Sequence, residues 1–373
     1  MKFQSTILML CISLFALAQE SEKKGRFMFV EARGHSGIHF YTGESLESAL
    51  SSGYGSLEIR VGWQTDGTQA WTGAYGYPSY GFGWYSGAIG NPEILGQPNA
   101  LYGFLSFPIS INRRHTFISD LAFGYTYDLN PYDPENNPLN DAIGARGAVY
   151  FNWGWGGRYN LNRELDLTYG IDFTHFSNGR SFQPNYGLNM MGLFLGTRYH
   201  FNTQQNEVDD DIRPELILPV RPDYPNEWPD YSNTSEHNVL LYTAIGTTQN
   251  GEDAGTSNRY FNSSITLEYQ YFFNMKHAVV GGLDFFYDGS LVAFDEDPNM
   301  FGYHLGYDYR VWIFSIRLQA GGYFSAPERK GGFFFRPAAK FDIYEGLYAQ
   351  VGLKTLNGGA ADWVEFGVGY ELW

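Results

Sequence analysis

Leu165-Asp166-Leu167-Thr168-Tyr169-Gly170-Ile171-Asp172-Phe173-Thr174-His175-Phe176-Ser177 decides how this chain is read. Its odd positions are apolar up to Phe173 and its even positions carry Asp166, Thr168, Gly170, Asp172 and Thr174. A period of two places one kind of side chain on each face of an extended segment, which predicts a β-strand with a greasy face and a polar face. His175 and Ser177 continue the greasy face. A base and a hydroxyl two residues apart on that face are neighbours, in surroundings where polar groups are out of place unless they act chemically.

The same grammar recurs on both sides. Leu57–Trp63, Ala100–Ile111, Phe117–Tyr127 and Val149–Leu161 alternate before the central segment, and Gly187–Phe201 alternates after it. Val239–Thr247, Tyr260–Phe273, Ala278–Tyr287, Gly302–Arg310, Trp312–Phe324, Phe333–Phe341, Leu347–Thr355 and Val364–Leu372 follow. The expectation is about 14 strands, within roughly 12–16 because boundaries are hard to place from one sequence. Short turns between consecutive strands predict antiparallel hairpins. Residues 202–236 break the pattern with Asp209-Asp210-Asp211 and Pro214, Pro219, Pro222, Pro225 and Pro229, so they are expected to form a long connection. The run Trp71–Trp84 is expected to be aromatic girdle and loop.

Composition separates the possible classes. The chain holds 45 Gly, 29 Tyr, 30 Phe and 9 Trp, and 18 % of it is aromatic. Its mean hydropathy is only -0.32. Strands apolar on one side, with aromatic girdles and no apolar run of roughly 18 residues after the N-terminus, predict an all-β, antiparallel transmembrane outer-membrane barrel. One barrel domain over 19–373 is the simplest organisation. Met1-Lys2, the apolar run to Leu17 and Ala16-Leu17-Ala18 read as a signal peptide over 1–18, which implies export to the bacterial outer membrane. The sole cysteine, Cys11, lies within it, so no disulfide framework is expected. A net charge of -16 argues against nucleic acid as a partner. Lipopolysaccharide is anionic too, which assigns much of the charge to loops, lumen or cation bridges.

Ester hydrolysis by serine needs a nucleophile, a base, a group that orients the base, and donors for the oxyanion. Ser177 and His175 supply the first two, and Asn189, across the expected hairpin, supplies an amide oxygen for the third. Asn178 and Asn185 are nearby amide donors. An isolated H-x-S is more often an ordinary polar turn, by roughly ten to one. The shared apolar face and the matching register of Asn189 move the balance. Gly34-His35-Ser36-Gly37 lacks the spacing of a nucleophile elbow. His35, His39 and Glu31 are better read as lumen or interface residues than as metal ligands, and Asp209–Asp211 as a solvated charge run.

The run from His175-Phe-Ser177-Asn178 through Gln183-Pro184-Asn185-Tyr-Gly187 to Asn189 resembles the active-site segment of PagL-type lipid A 3-O-deacylases. Lys354–Tyr370, with Ala361-Asp362-Trp363-Val364-Glu365, resembles longer, acyloxyacyl hydrolase-like relatives. The resemblance implies His175 as base, Ser177 as nucleophile, Asn178 and Asn185 at the oxyanion, and removal of an acyl chain from lipid A without a metal or cofactor. Two departures stand out: the chain is about twice the length of an eight-stranded barrel, and Asn189 replaces an acid. Gly179-Arg180-Ser181 with Asn189 also resembles outer-membrane phospholipase A, which uses asparagine, calcium and a dimer. The other alternative is a non-enzymatic, porin-like or structural barrel.

Overall fold

The computed structural model describes residues 27–41, 45–46, 50, 53–65, 70–111, 114–162, 164–201 and 235–373. The expected signal peptide at 1–18 lies outside the described residues, as does the connection expected at 202–236 apart from its last two residues. The first eight strands are β1 (Phe27–Tyr41), β2 (Tyr54–Gln64), β3 (Ser79–Ala88), β4 (Gly96–Ile111), β5 (His115–Leu129), β6 (Ala148–Asn160), β7 (Leu165–Ser177) and β8 (Leu188–His200). The second eight are β9 (Glu236–Thr248), β10 (Tyr260–Phe272), β11 (His277–Asp288), β12 (Asn299–Val311), β13 (Phe314–Ser325), β14 (Phe333–Tyr344), β15 (Leu347–Leu356) and β16 (Ala360–Glu371).

These strands form two closed antiparallel barrels, not the single barrel expected. β8 pairs back onto β1, with Leu195 opposite Gly34, and β16 pairs back onto β9, with Phe366 opposite Ile245. The physical reason is visible in the lumens. Eight strands leave an interior that side chains can just fill, and Phe29, Tyr102, Phe104, Tyr150 and Phe176 pack together inside the first barrel. Phe286, Met300, Phe334 and Trp363 do the same in the second. A single larger ring would have left these aromatic groups around a wet channel.

Two strands escape the alternation rule. The outward positions of β1 are Ala32, Gly34 and Ser36 before Ile38 and Phe40, so its greasy face is weak over half its length. β3, which begins inside the run expected to be girdle and loop, puts Gly81, Gly83 and Gly87 on its inner side. There the Val61 carbonyl at Gly81, the Tyr102 ring at Gly83 and the Tyr85 ring with Ile89 at Gly87 occupy the space a Cβ would need. Glu31 and His35 are buried in the lumen, consistent with their reading as lumen or interface residues, and Arg33 is buried between them.

Both lumens hold buried charge networks. In the first barrel, Asp120 takes Arg33 at 2.7 Å and Arg60 at 2.9 Å, and Arg198 reaches Glu31 at 2.8 Å. His304 bridges Asp284 and Glu268 at 2.7 and 2.9 Å in the second. Buried charges cost several kcal/mol each unless paired and hydrogen-bonded, which is why they occur here as networks. The outer faces are apolar: Ile171, Leu193, Leu195, Leu267, Leu305 and Phe366 are all exposed. No described helix is long and apolar enough to cross a membrane, and the apolar surface belongs to strands.

Candidate active site

The β7–β8 hairpin builds the site. Leu188–His200 alternates buried and open positions almost without a break, which sets which residues look outward. In that register His175 stands directly opposite Asn189. Cross-strand partners bring their Cβ atoms within about 4.5–5.5 Å, and here the side chains meet: His175 Nδ1 and Asn189 Oδ1 are 2.7 Å apart. An amide oxygen only accepts, so Nδ1 carries the proton and Nε2 keeps its lone pair. Ser177 follows on the same outward face, opposite Val149 of β6.

The turn from Asn178 to Gly187 folds back over Ser177. Asn185 Nδ2 donates to Ser177 Oγ at 3.0 Å, and the Gly179 N–H donates to the same oxygen at 3.2 Å. The Asn178 N–H donates to Asn185 Oδ1 at 3.0 Å. The Asn178 side chain is buried; its Oδ1 accepts from the Phe182 N–H at 3.4 Å, while its Nδ2 has no hydrogen-bond partner among the described residues. All five residues singled out by the sequence therefore come together in one hairpin. His175 meets Asn189, and Ser177 meets Asn185. Among the described residues no hydrogen bond joins Ser177 to His175. Catalytic hydrogen bonds are often long without substrate and tighten in the complex.

The structural role of some supporting residues was not legible in the sequence. Gly187 has φ +78°, and a Cβ on it would stand 3.0 Å from His175 Cε1. Glycine therefore serves both the left-handed backbone and the imidazole's close approach. Gly187→Ala is expected to push the ring aside and lower kcat about 10- to 100-fold, because small misplacements at a reacting centre are costly. Ester hydrolysis assayed on protein that retains heat-modifiable barrel mobility checks this. The long β5–β6 loop braces the turn from the other side: the Gly187 N–H donates to Ala142 O at 2.9 Å, and Asn140 Nδ2 donates to Asn130 O at 2.6 Å. The asparagine-rich run Asn136–Asp141 was the available signal for that loop. No group of three or more His, Cys, Asp or Glu side chains among the described residues is arranged to hold a metal ion.

Around the site the surface is apolar. Phe173 lies parallel to the His175 ring at 6.4 Å, and Tyr186, Met191 and Ile171 are exposed nearby along the hairpin. A polar triad of groups thus opens onto a greasy outer wall, an arrangement suited to an ester whose acyl chain lies alongside the barrel.

Residues 57–198 match the family model described as lipid A 3-O-deacylase (PagL), and residues 237–373 match the one described as acyloxyacyl hydrolase, C-terminal domain. The two matches fall one on each barrel. No curated protein matches the chain. Among solved structures the chain is similar to Neisserial surface protein A at 10% identity, over 46% of this chain and 96% of that one, with a TM-score of 0.32. It is similar to OccK5 (OpdH) of Pseudomonas aeruginosa at 11% identity, over 93% and 98%, with a TM-score of 0.23. A mutant of the Rh. blastica porin is similar at 10% identity, over 92% and 100%, with a TM-score of 0.19. Scores of this size are too low to carry weight.

Proposed function

The chain belongs to the PagL-like family of lipid A 3-O-deacylases, and from that premise we propose that it removes an ester-linked acyl chain from lipid A at the outer wall of its first barrel. His175 Nε2 takes the proton of Ser177, whose Oγ attacks the ester carbonyl. The oxyanion of the tetrahedral intermediate is received by donors gathered around Ser177, those of Asn178 and Asn185 foremost. Collapse expels the sugar alcohol, which takes the proton back from His175, and leaves an acyl-serine. Water, deprotonated by His175, then releases the fatty acid. Asn189 holds the imidazole in the tautomer this needs throughout. The observation that carries the reading is the His175–Asn189 contact at 2.7 Å with Ser177 next along the same lipid-facing side.

Placement of the site outside the barrel follows from the substrate, which is the membrane itself. The reading sets the chain in the bacterial outer membrane with the β7–β8 turn toward the lipid A leaflet. β8 then runs away from the site and β9 returns to the same end, so the connection before β9 falls on the periplasmic side. Protease added to intact cells should leave that connection uncut, whereas cleavage there would reverse the orientation.

Purified protein in detergent, offered lipid A and phospholipid and followed by mass spectrometry, tests the function. Loss of one acyl chain from lipid A, at a rate unchanged by EDTA, is the expected result. The amide at position 189 and Gly179-Arg180-Ser181 favour a phospholipase A-like second reading. Calcium-dependent cleavage of phospholipid alone would establish that instead. Turnover of neither lipid would leave a barrel without this activity.

A further inference from the structure

The second barrel reaches into the first at the catalytic turn. Arg180, at φ +68° just after Gly179, is gripped on every polar side by residues of the second barrel and its loops. Its guanidinium donates to Asp362 Oδ1 at 3.1 Å, to Asn250 Oδ1 at 3.1 Å and to Gln249 O at 3.3 Å. The Gln249 N–H in turn donates to Arg180 O at 3.0 Å. Three residues on, the Gln183 N–H donates to Gln249 Oε1 at 2.6 Å. Gly179 lies so close to Val364 that a Cβ would overlap it.

The gripping side is itself fixed. Gln249 Nε2 donates to Thr256 O and Asn258 O, both at 3.0 Å, and Asn250 Nδ2 donates to Ser290 O at 3.2 Å. Asp362 is buried between Lys330, at 2.7 Å, and Lys354. A buried, satisfied network of this kind holds one geometry. On the hairpin side, the clamped segment runs from the residue after Ser177's neighbour Asn178 to just before Asn185, the two groups assigned to the oxyanion. Among the described residues, none of the first barrel hydrogen-bonds the Arg180 guanidinium.

We propose that the second barrel positions the catalytic turn of the first, with Arg180 and Gln249 as its positioning residues. This rests on the deacylase reading for its effect on turnover, though the clamp itself does not. A separate contact keeps the two barrels together at the far end, where Trp71 stacks on Trp312 at 5.1 Å and 3° and Tyr75 OH donates to Arg310 O. Loss of the clamp therefore need not separate the barrels.

The test uses the full chain in detergent, with Arg180→Ala, Gln249→Ala and, as the far-end control, Trp312→Ala. Both clamp variants are expected to lower kcat on lipid A about 10- to 100-fold with KM within about twofold, the pattern of a misplaced reacting group. Amide hydrogen exchange over 178–187 should speed up in both and stay unchanged in Trp312→Ala, which keeps its kcat. Unchanged exchange and kcat in the clamp variants would overturn the proposal, as would an equal loss of kcat in Trp312→Ala. Faster exchange in the clamp variants of a wild-type chain that cuts no lipid A would uphold the clamp and sink the deacylase reading.

Discussion

Ser177→Ala is expected to stop ester cleavage, with kcat falling about 10⁶-fold, the scale seen when a serine nucleophile is removed from a triad. The substitution takes away one oxygen at the last residue of β7, on the side that faces outward, and touches no lumen network. The barrel should therefore fold as before, with the same heat-modifiable mobility, and bind lipid A with little change. Hydrolysis followed by mass spectrometry reads the effect. Residual activity within tenfold of wild type would remove Ser177 from the mechanism and send the search to another nucleophile. His175→Ala should fall almost as far, since a serine hydroxyl without a base is a poor nucleophile.

Asn189 carries the second large effect. Its oxygen is the partner of His175 Nδ1, so Asn189→Ala frees the imidazole to rotate and to take the wrong tautomer. Replacing the orienting member of an acid-containing triad costs about 10⁴-fold. A neutral amide stabilises imidazolium less than a carboxylate does, so the loss here is expected to be smaller, about 10²- to 10³-fold. Asn189→Asp should keep the orientation and add charge opposite the imidazolium that forms, raising kcat severalfold. An Asn189→Ala enzyme as fast as wild type would show that the hairpin contact orients nothing of consequence.

The site was legible because a β-hairpin is a local object. Alternation along Leu165–Ser177 put His175 and Ser177 on one face, and the return strand carried Asn189 to the matching position. Closure was not legible. Whether β8 bonds to β1 or continues to β9 depends on contacts between residues more than a hundred and fifty positions apart, such as Phe29 and His200. β1 and β3 were missed because small residues occupy faces that elsewhere carry bulk. In β1 these are Ala32, Gly34 and Ser36 on the outside, and in β3 they are Gly81 and Gly83 on the inside, where the neighbouring backbone at Val61 and the Tyr102 ring fill the room.

The sequence alone determined the strand grammar, the apolar outer wall and the group of His175, Ser177, Asn178, Asn185 and Asn189, all within fifteen residues of one another. Period-two patterning is enough to define the strands, the outer wall and the shared face of His175, Ser177 and Asn189, while the family resemblance supplies the roles of Asn178 and Asn185. Tertiary structure alone decided that sixteen strands make two barrels and that Gln249, Asn250 and Asp362 hold Arg180. Those outcomes turn on how aromatic side chains fill a lumen and on where a half-buried arginine finds its acceptors. Residues distant in the chain supply both, and no local period records them.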